Sequence, residues 1–244
     1  MEGLGTRLNH SMRIKNKLIV VTGGSRGIGF AVAEHLAKEG AIVIAASRKA
    51  PLLSQLTRAP TGTLTPARLD VTNEESVLNL FNACDRWGRL DVLVNNAGIG
   101  IFAPLEQLSL SDWNQVLATN LTGSFLCSRE AFRRMKLQRC GRIIHLGSVA
   151  DYTALPSNGA YSASKYGLRG LNGVLNEEGK AFGVHSTLLS LGAVATEIWQ
   201  GRSGFNLSDM LQPAQVAETV VHLVGQPPEL RIDEIKMLPS KGIL

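Results

Sequence analysis

Cysteine is scarce in these 244 residues: there are three, Cys84, Cys127 and Cys140, and no two form a CxxC pair. An odd count without metal-ligand spacing argues against a disulfide framework or a zinc site and suits a reducing compartment. The three thiols read as small packing residues. His35, His185 and His222 fall in helix or strand patterns without metal-ligand spacing, so no metal site is expected. No apolar run reaches the length of a membrane span. The N-terminal LIVV follows basic residues, but it is too short for a signal h-region and ends in glycines. Residues 1–12 are expected to be a short tail, with Met12 a second candidate start. A soluble cytoplasmic protein with no membrane partner is expected.

A concentrated charge patch is also missing. Formal net charge is +5, but Arg13, Lys15, Lys17, Arg26, Arg48 and Lys49 are scattered and not interleaved with aromatics. Nucleic-acid binding usually needs a patch or stripe, so no nucleic-acid partner is expected. The composition argues against disorder: 44% of residues are hydrophobic and 18% charged, a globular balance.

What is present is alternation. Short apolar runs (KLIVV, AIVIAAS, GTLTPARLD, RLDVLVNNAG, GRIIHLGS, VHSTLLSLG and RIDEIKML) are separated by segments with helical periodicity. Helices are predicted after Gly27, over about 73–87 with Asn73 as N-cap, over 111–139, over 159–182 and over 213–225. The runs lack strict polar alternation, as strands covered on both faces do. The pattern predicts one Rossmann-type, doubly wound α/β domain over 13–244, with a mainly parallel sheet of about seven strands and helices on both faces.

The first strand ends in TGGSRGIG, Thr22–Gly29. Gly23, Gly27 and Gly29 allow a sharp turn and close backbone approach, and the following helix N-terminus attracts phosphate. No Lys-Ser/Thr follows Gly29, which excludes a P-loop. A second absence matters more. The second strand ends in Ser47, Arg48 and Lys49, with no acid where dinucleotide sheets that prefer NAD hold a ribose hydroxyl. Arg48 suits a 2′-phosphate and Arg26 offers a second positive contact, so NADP(H) is preferred over a possible NAD(H).

With TGGSRGIG (22–29) stand LDVT (69–72), NNAG (95–98), ATN (118–120), GS (147–148), YSASK (161–165) and LGAVAT (191–196). In this order and spacing the chain resembles the short-chain dehydrogenase/reductase family from about Lys17 to Leu238. The resemblance implies that Gly23, Ser25, Arg26, Gly27, Ile28 and Gly29 line the cofactor's phosphates and ribose. Asp70 and Val71 would flank the adenine. Asn96, Ala97 and Gly98 would support the adenosine side. Gly192, Val194 and Thr196 would sit by the carboxamide and pyrophosphate. Asn120, Ser148, Tyr161 and Lys165 would form a catalytic tetrad, with Lys165 also on the nicotinamide ribose and Asn120 holding a water that connects Lys165 to solvent. Family members are commonly homodimers or homotetramers, and Gly167, Gly170 and Gly173 would permit close helix packing.

The chemistry agrees with the spacing. Hydride transfer to a ketone leaves negative charge on oxygen, which needs a proton. A tyrosine ordinarily titrates near pH 10, and a neighbouring ammonium favours its anion. Tyr161 and Lys165 stand at i, i+4, whereas Tyr166 has Gly170 at that spacing. Ser148 ends a strand, where open α/β sheets bind ligands. Asp151 and Tyr152 are expected at the substrate mouth, and His145 as a packed strand residue. Leu191 stands where the family often has proline. The resemblance implies a substrate-covering lid over about 193–212, and its Ile198, Trp199, Phe205, Leu207, Met210 and Leu211 suggest a partly apolar carbonyl or alcohol substrate. The rival readings are a carrier-bound 3-oxoacyl reductase and a catalytically weak NADP-binding sensor or scaffold.

Overall fold

The computed structural model describes residues 13–50, 62–197 and 206–243. The tail before Arg13 and the lid residues Ile198, Trp199 and Phe205 lie outside them. The strands are β1 (Leu18–Thr22), β2 (Ile42–Ser47), β3 (Thr63–Arg68), β4 (Val92–Asn95), β5 (Gly141–Leu146), β6 (Val184–Leu191) and β7 (Glu234–Met237). They form one seven-stranded sheet in the order β3-β2-β1-β4-β5-β6-β7. Every described pair in it is parallel, so the expected "mainly parallel" sheet is parallel throughout. The last strand is shorter than the apolar run Arg231–Leu238 suggested. Arg231 and Asp233 pair with each other just before it.

Alternate strand residues supply two cores. Ile19 and Val21 of β1 pack in one cluster with Val43, Val92 and Ile144. Helices α1 (Gly27–Lys38) and α6 (Pro213–Val224) cover it through Val32, Leu36, Val216, Val220 and Leu223. Leu18 and Val20 pack in the other with Ile44, Leu93 and Ile143. There α2 (Glu74–Cys84) and α4 (Gly123–Gln138) contribute Val77, Phe81, Ala131 and Met135. Each large apolar side chain buried this way stabilises the fold by about 1.5–3 kcal/mol. Two covered faces explain why the strands read as unbroken apolar runs. Cys84 and Cys127 belong to the second core, where burial pushes both thiols up to about 12, so they are inert packing groups at neutral pH.

Two predicted helices differ at informative places. Asn73 caps α2 by accepting from Ser76 N–H at 2.8 Å, as expected, but the helix ends at Cys84 and tightens into a 3-10 turn over Asp85–Trp87. The long helix of 111–139 is α3 (Leu110–Leu117) and α4, joined by a π-helical turn, Ala118–Thr122. Such turns are often found at functional sites, and this one contains Asn120. The remaining helix, α5 (Gly159–Gly179), is pinned to β6 by buried amides. Asn176 Nδ2 donates to Ser186 O at 2.8 Å, and Asn176 Oδ1 accepts from Ser186 N–H at 2.7 Å. No described helix is long and apolar enough to cross a membrane.

Candidate active site

Chain order reverses between β1 and β4, which are neighbours in the sheet. In parallel sheets the ligand crevice lies beyond the strands' C-terminal ends at such a switch. The glycine loop follows β1, Asn96–Gly98 follow β4, Ser148 follows β5 and Gly192–Thr196 follow β6. The motifs therefore gather along one edge of the sheet.

Gly23 and Gly27 have φ of +64° and +54°, which favour glycine. Arg26 precedes α1 without any side-chain cap bond, and no acid occupies the first turn. The helix start is thus left to attract an anion. Asn96 holds the loop: its Nδ2 donates to Thr22 O at 2.9 Å and Gly23 O at 3.0 Å. Thr22 Oγ1 accepts from the N–H groups of both Asn96 and Ala97 at 3.0 Å. A Cβ on Gly29 would collide with Asn96 Nδ2 and the Gly23 carbonyl. Gly29→Ala is expected to cost about 1–3 kcal/mol by overpacking, read as a lower thermal midpoint. An unchanged midpoint would refute the close approach.

The loop after β6 closes over this start. A Cβ on Gly27 would lie 3.7 Å from Thr196 Cγ2. Val194 bridges to Leu211, and Gly192 N–H donates to Met237 O at 2.8 Å. These ties hold the backbone without the proline that Leu191 replaces. Arg26 Nη1 pairs with Glu197 Oε2, so the loop arginine is engaged rather than open. Both side chains are largely exposed, and such a pair is worth little in water. Arg48 is exposed at the end of β2, beside half-buried Ser47. Asp70 Oδ1 accepts from Thr72 N–H at 3.0 Å and Thr72 Oγ1 at 2.7 Å, while Val71 is buried.

The other cluster forms where α5 meets β5. Lys165 is buried and its Nζ donates to the carbonyl of Leu146, the last residue of β5, at 2.7 Å. The same Nζ lies 5.6 Å from the centroid of the Tyr161 ring. Ser148 is two residues beyond Leu146, and its Oγ accepts from Ala150 N–H at 3.2 Å. Asn120 is spent on scaffolding: Nδ2 donates to Ile99 O at 2.9 Å and Ser164 Oγ at 3.1 Å, and Oδ1 accepts from Ile99 N–H at 2.8 Å. Ser164 Oγ donates in turn to Tyr161 O at 2.7 Å. Asn120 thus reaches the tyrosine helix through Ser164.

A family model described as short chain dehydrogenase matches residues 17–205. The chain belongs to that family. Its membership makes it an oxidoreductase. It is 30% identical to Dehydrogenase/reductase SDR family member 11 of Homo sapiens over 252 residues, covering 95% of this chain and 97% of that protein. It is 34% identical to D-threitol dehydrogenase of Mycolicibacterium smegmatis over 232 residues, 89% of each. An alcohol dehydrogenase from the archaeon Thermococcus sibiricus, solved with 5-hydroxy-NADP, superposes with a TM-score of 0.81 at 28% identity. That alignment covers 93% of this chain and 97% of the other. A metagenomic short-chain oxidoreductase in complex with NADP gives 0.79 at 28% identity over 93% and 99%.

Some positions in this short-chain dehydrogenase differ from the sequence expectation. Asp151 does not line a mouth: it is wholly buried and ion-paired with Arg169. Tyr152 is half-buried, with Lys236 Nζ 4.0 Å from its ring centroid. Of the lid's apolar residues, Met210 and Leu211 are buried and Leu207 is exposed. Gly167 is packed against Leu121 of the same chain, whereas a Cβ on Gly170 or Gly173 would meet nothing within 4 Å. Phe102 was missed. Its ring lies 5.6 Å from that of Tyr161, tilted by 48°. No periodicity marks it, because it sits outside any described helix or strand.

Proposed function

We propose that the protein is an NADP(H)-dependent oxidoreductase that moves a hydride between nicotinamide and a ketone or secondary alcohol of small, partly apolar molecules. The observation that carries this reading is the meeting of Tyr161 and Lys165 with the end of β5, where Ser148 follows, on the same sheet edge as the uncapped start of α1. The residues present fit a dinucleotide: positive-φ glycines and an acid-free helix start for the pyrophosphate, and exposed Arg48 for a 2′-phosphate. The two NADP-type complexes among the structural relatives support the same cofactor.

When bound, the nicotinamide supplies or accepts the hydride. Tyr161 gives its hydroxyl proton to the carbonyl oxygen and takes it back in the reverse direction. Lys165 holds positive charge beside the ring and would hold the cofactor's ribose. Ser148 Oγ already accepts one bond, from Ala150, which leaves its proton to orient the substrate oxygen. Asn120 keeps the π turn, Ile99 and the start of α5 in register, and is assigned the water that would connect Lys165 to solvent. Phe102 beside Tyr161 gives the reacting end an aromatic wall, which favours apolar substituents. Assembly as a homodimer or homotetramer, with α5 near Tyr166, Gly170 and Gly173 at the contact, completes the reading.

Cofactor choice is tested by titration. Arg48→Ala is expected to raise the Kd for NADPH by about tenfold or more, because it removes a charge-assisted contact, and to leave NADH within about twofold. Tighter binding of NADH than of NADPH by the unaltered protein would overturn the preference. Substrate class is tested with NADPH and a panel of aliphatic and aryl ketones, and with NADP and the matching alcohols.

A further inference from the structure

Behind Ser148 runs a chain of charged groups that the proposed hydride transfer does not use. Asp151 is fully buried, and a buried carboxylate is costly unless every lone pair is met. Here its Oδ2 accepts from Ser148 N–H at 3.1 Å and from Ser190 Oγ at 2.8 Å. Its Oδ1 accepts from Arg169 Nη2 at 2.7 Å, and its carbonyl accepts from Arg169 Nε at 3.0 Å. Arg169 then grips Glu234, the first residue of β7, through Nη1 to Oε2 at 2.7 Å and Nη2 to Oε1 at 2.8 Å. The arginine's hydrogen bonds hold the Glu234 carboxyl below the usual carboxylate range.

Two further features belong to the same arrangement. A Cβ on Gly147 would collide with Asp151 Oδ2, so glycine there makes the room that the carboxylate fills. Arg169 continues the i, i+4 row of Tyr161 and Lys165 along α5. One stripe of one helix thus carries the proton donor, its ammonium and the guanidinium that holds Asp151.

We propose that Asp151 is a positioning residue for Ser148, and that Arg169 and Glu234 extend its hold to β7. Asp151 bonds both backbone groups of Ser148: the carboxylate takes the N–H, and Asp151 N–H donates to Ser148 O at 2.8 Å. With that backbone clamped, the Ser148 hydroxyl keeps only its rotamer freedom. With a neutral side chain at 151 the hold of Arg169 on the turn weakens, and misplacement of the Ser148 hydroxyl slows the reacting step more than it weakens binding. The proposal rests on reading Ser148 as the group that orients the substrate carbonyl.

The test uses the full chain with NADPH and 1-phenyl-1,2-propanedione as probe ketone. Asp151→Asn is expected to lower kcat by about 10- to 100-fold, with NADPH affinity within about twofold. In a Ser148→Ala background the same change should cost less than about threefold, since it acts through that hydroxyl. Glu234→Gln should act in the same direction more weakly. Equal losses in both backgrounds would overturn the proposal, as would a fall in thermal midpoint with kcat unchanged. Amide exchange by mass spectrometry reads the same clamp without a substrate. Exchange in the 147–152 peptide should rise about tenfold in Asp151→Asn and by less in Glu234→Gln, with β1 and β2 unaffected. Unchanged exchange would overturn the proposal. If Ser148→Ala and Tyr161→Phe leave turnover intact, or the ketone is not turned over, the reductase reading is what fails, and exchange decides whether the clamp exists.

Discussion

Tyr161→Phe is expected to lower kcat by about 10²- to 10⁴-fold while NADPH affinity stays within about twofold. The ring contact with Phe102 does not involve the hydroxyl, and Lys165 Nζ keeps its bond to Leu146 O. Fold and cofactor cradle therefore survive, and only the proton is lost. A loss in kcat and in kcat/KM together marks an interaction made in the transition state. Tyr166→Phe is the internal control. Tyr166 is exposed and has Gly170, not a cation, at i+4, so turnover should be unchanged. Steady-state kinetics on the best ketone of the panel and fluorescence titration with NADPH measure both quantities. Full activity in Tyr161→Phe would remove the assigned proton donor.

Acid should destabilise the protein through His145. This residue lies in β5, wholly buried, with Nδ1 3.3 Å from Asn95 Nδ2 and with Nε2 lacking a hydrogen-bond partner among the described residues. Burial, and secondarily the nearby Lys165 charge, push its pKa down to about 3. The unfolded chain has the ordinary value near 6.5. Above that, neither state is protonated and stability is complete. As pH falls below it, only the unfolded state takes up the proton, and stability is lost at about 1.4 kcal/mol per pH unit toward pH 3. Glu177 and Glu234, whose carboxyls are lowered by bonds to Lys180 and Arg169, add their losses only nearer the carboxylate range. The window from pH 6.5 to 5 lies above those carboxylates, and comparison with a His145 variant separates this residue from the other histidines. Urea midpoints across that window should slope in the unaltered protein and flatten in His145→Gln. An equal slope in both would place the titration elsewhere.

The parts of the site that were legible are those whose spacing is set by one element. Gly23 to Gly29 span one strand-to-helix junction, and Tyr161 and Lys165 lie one helical turn apart. Asp151 was misplaced at the mouth because nothing beside it in sequence shows that Arg169, 18 residues on and itself held by Glu234, closes on it. Phe102 and the Arg26–Glu197 pair were invisible for the same reason: their partners are 59 and 171 positions away, as Tyr161 and Glu197. The role of Asn120 was named by resemblance, yet its bonds to Ile99 and Ser164 come from a π turn that the long helical periodicity hides.

The sequence by itself determined the alternation of strands and helices, the glycine turn after β1 and the tyrosine–lysine pair, because periodicity, glycine φ and i, i+4 geometry act within a few residues. Tertiary structure alone decided which polar groups are buried and what they touch. Asn96 reaches Thr22 across 74 residues, and Leu18 N–H reaches Asp91 Oδ2 across 73. Such contacts form only once parallel strands have taken their register, and burial then gives each charge its partner and its cost.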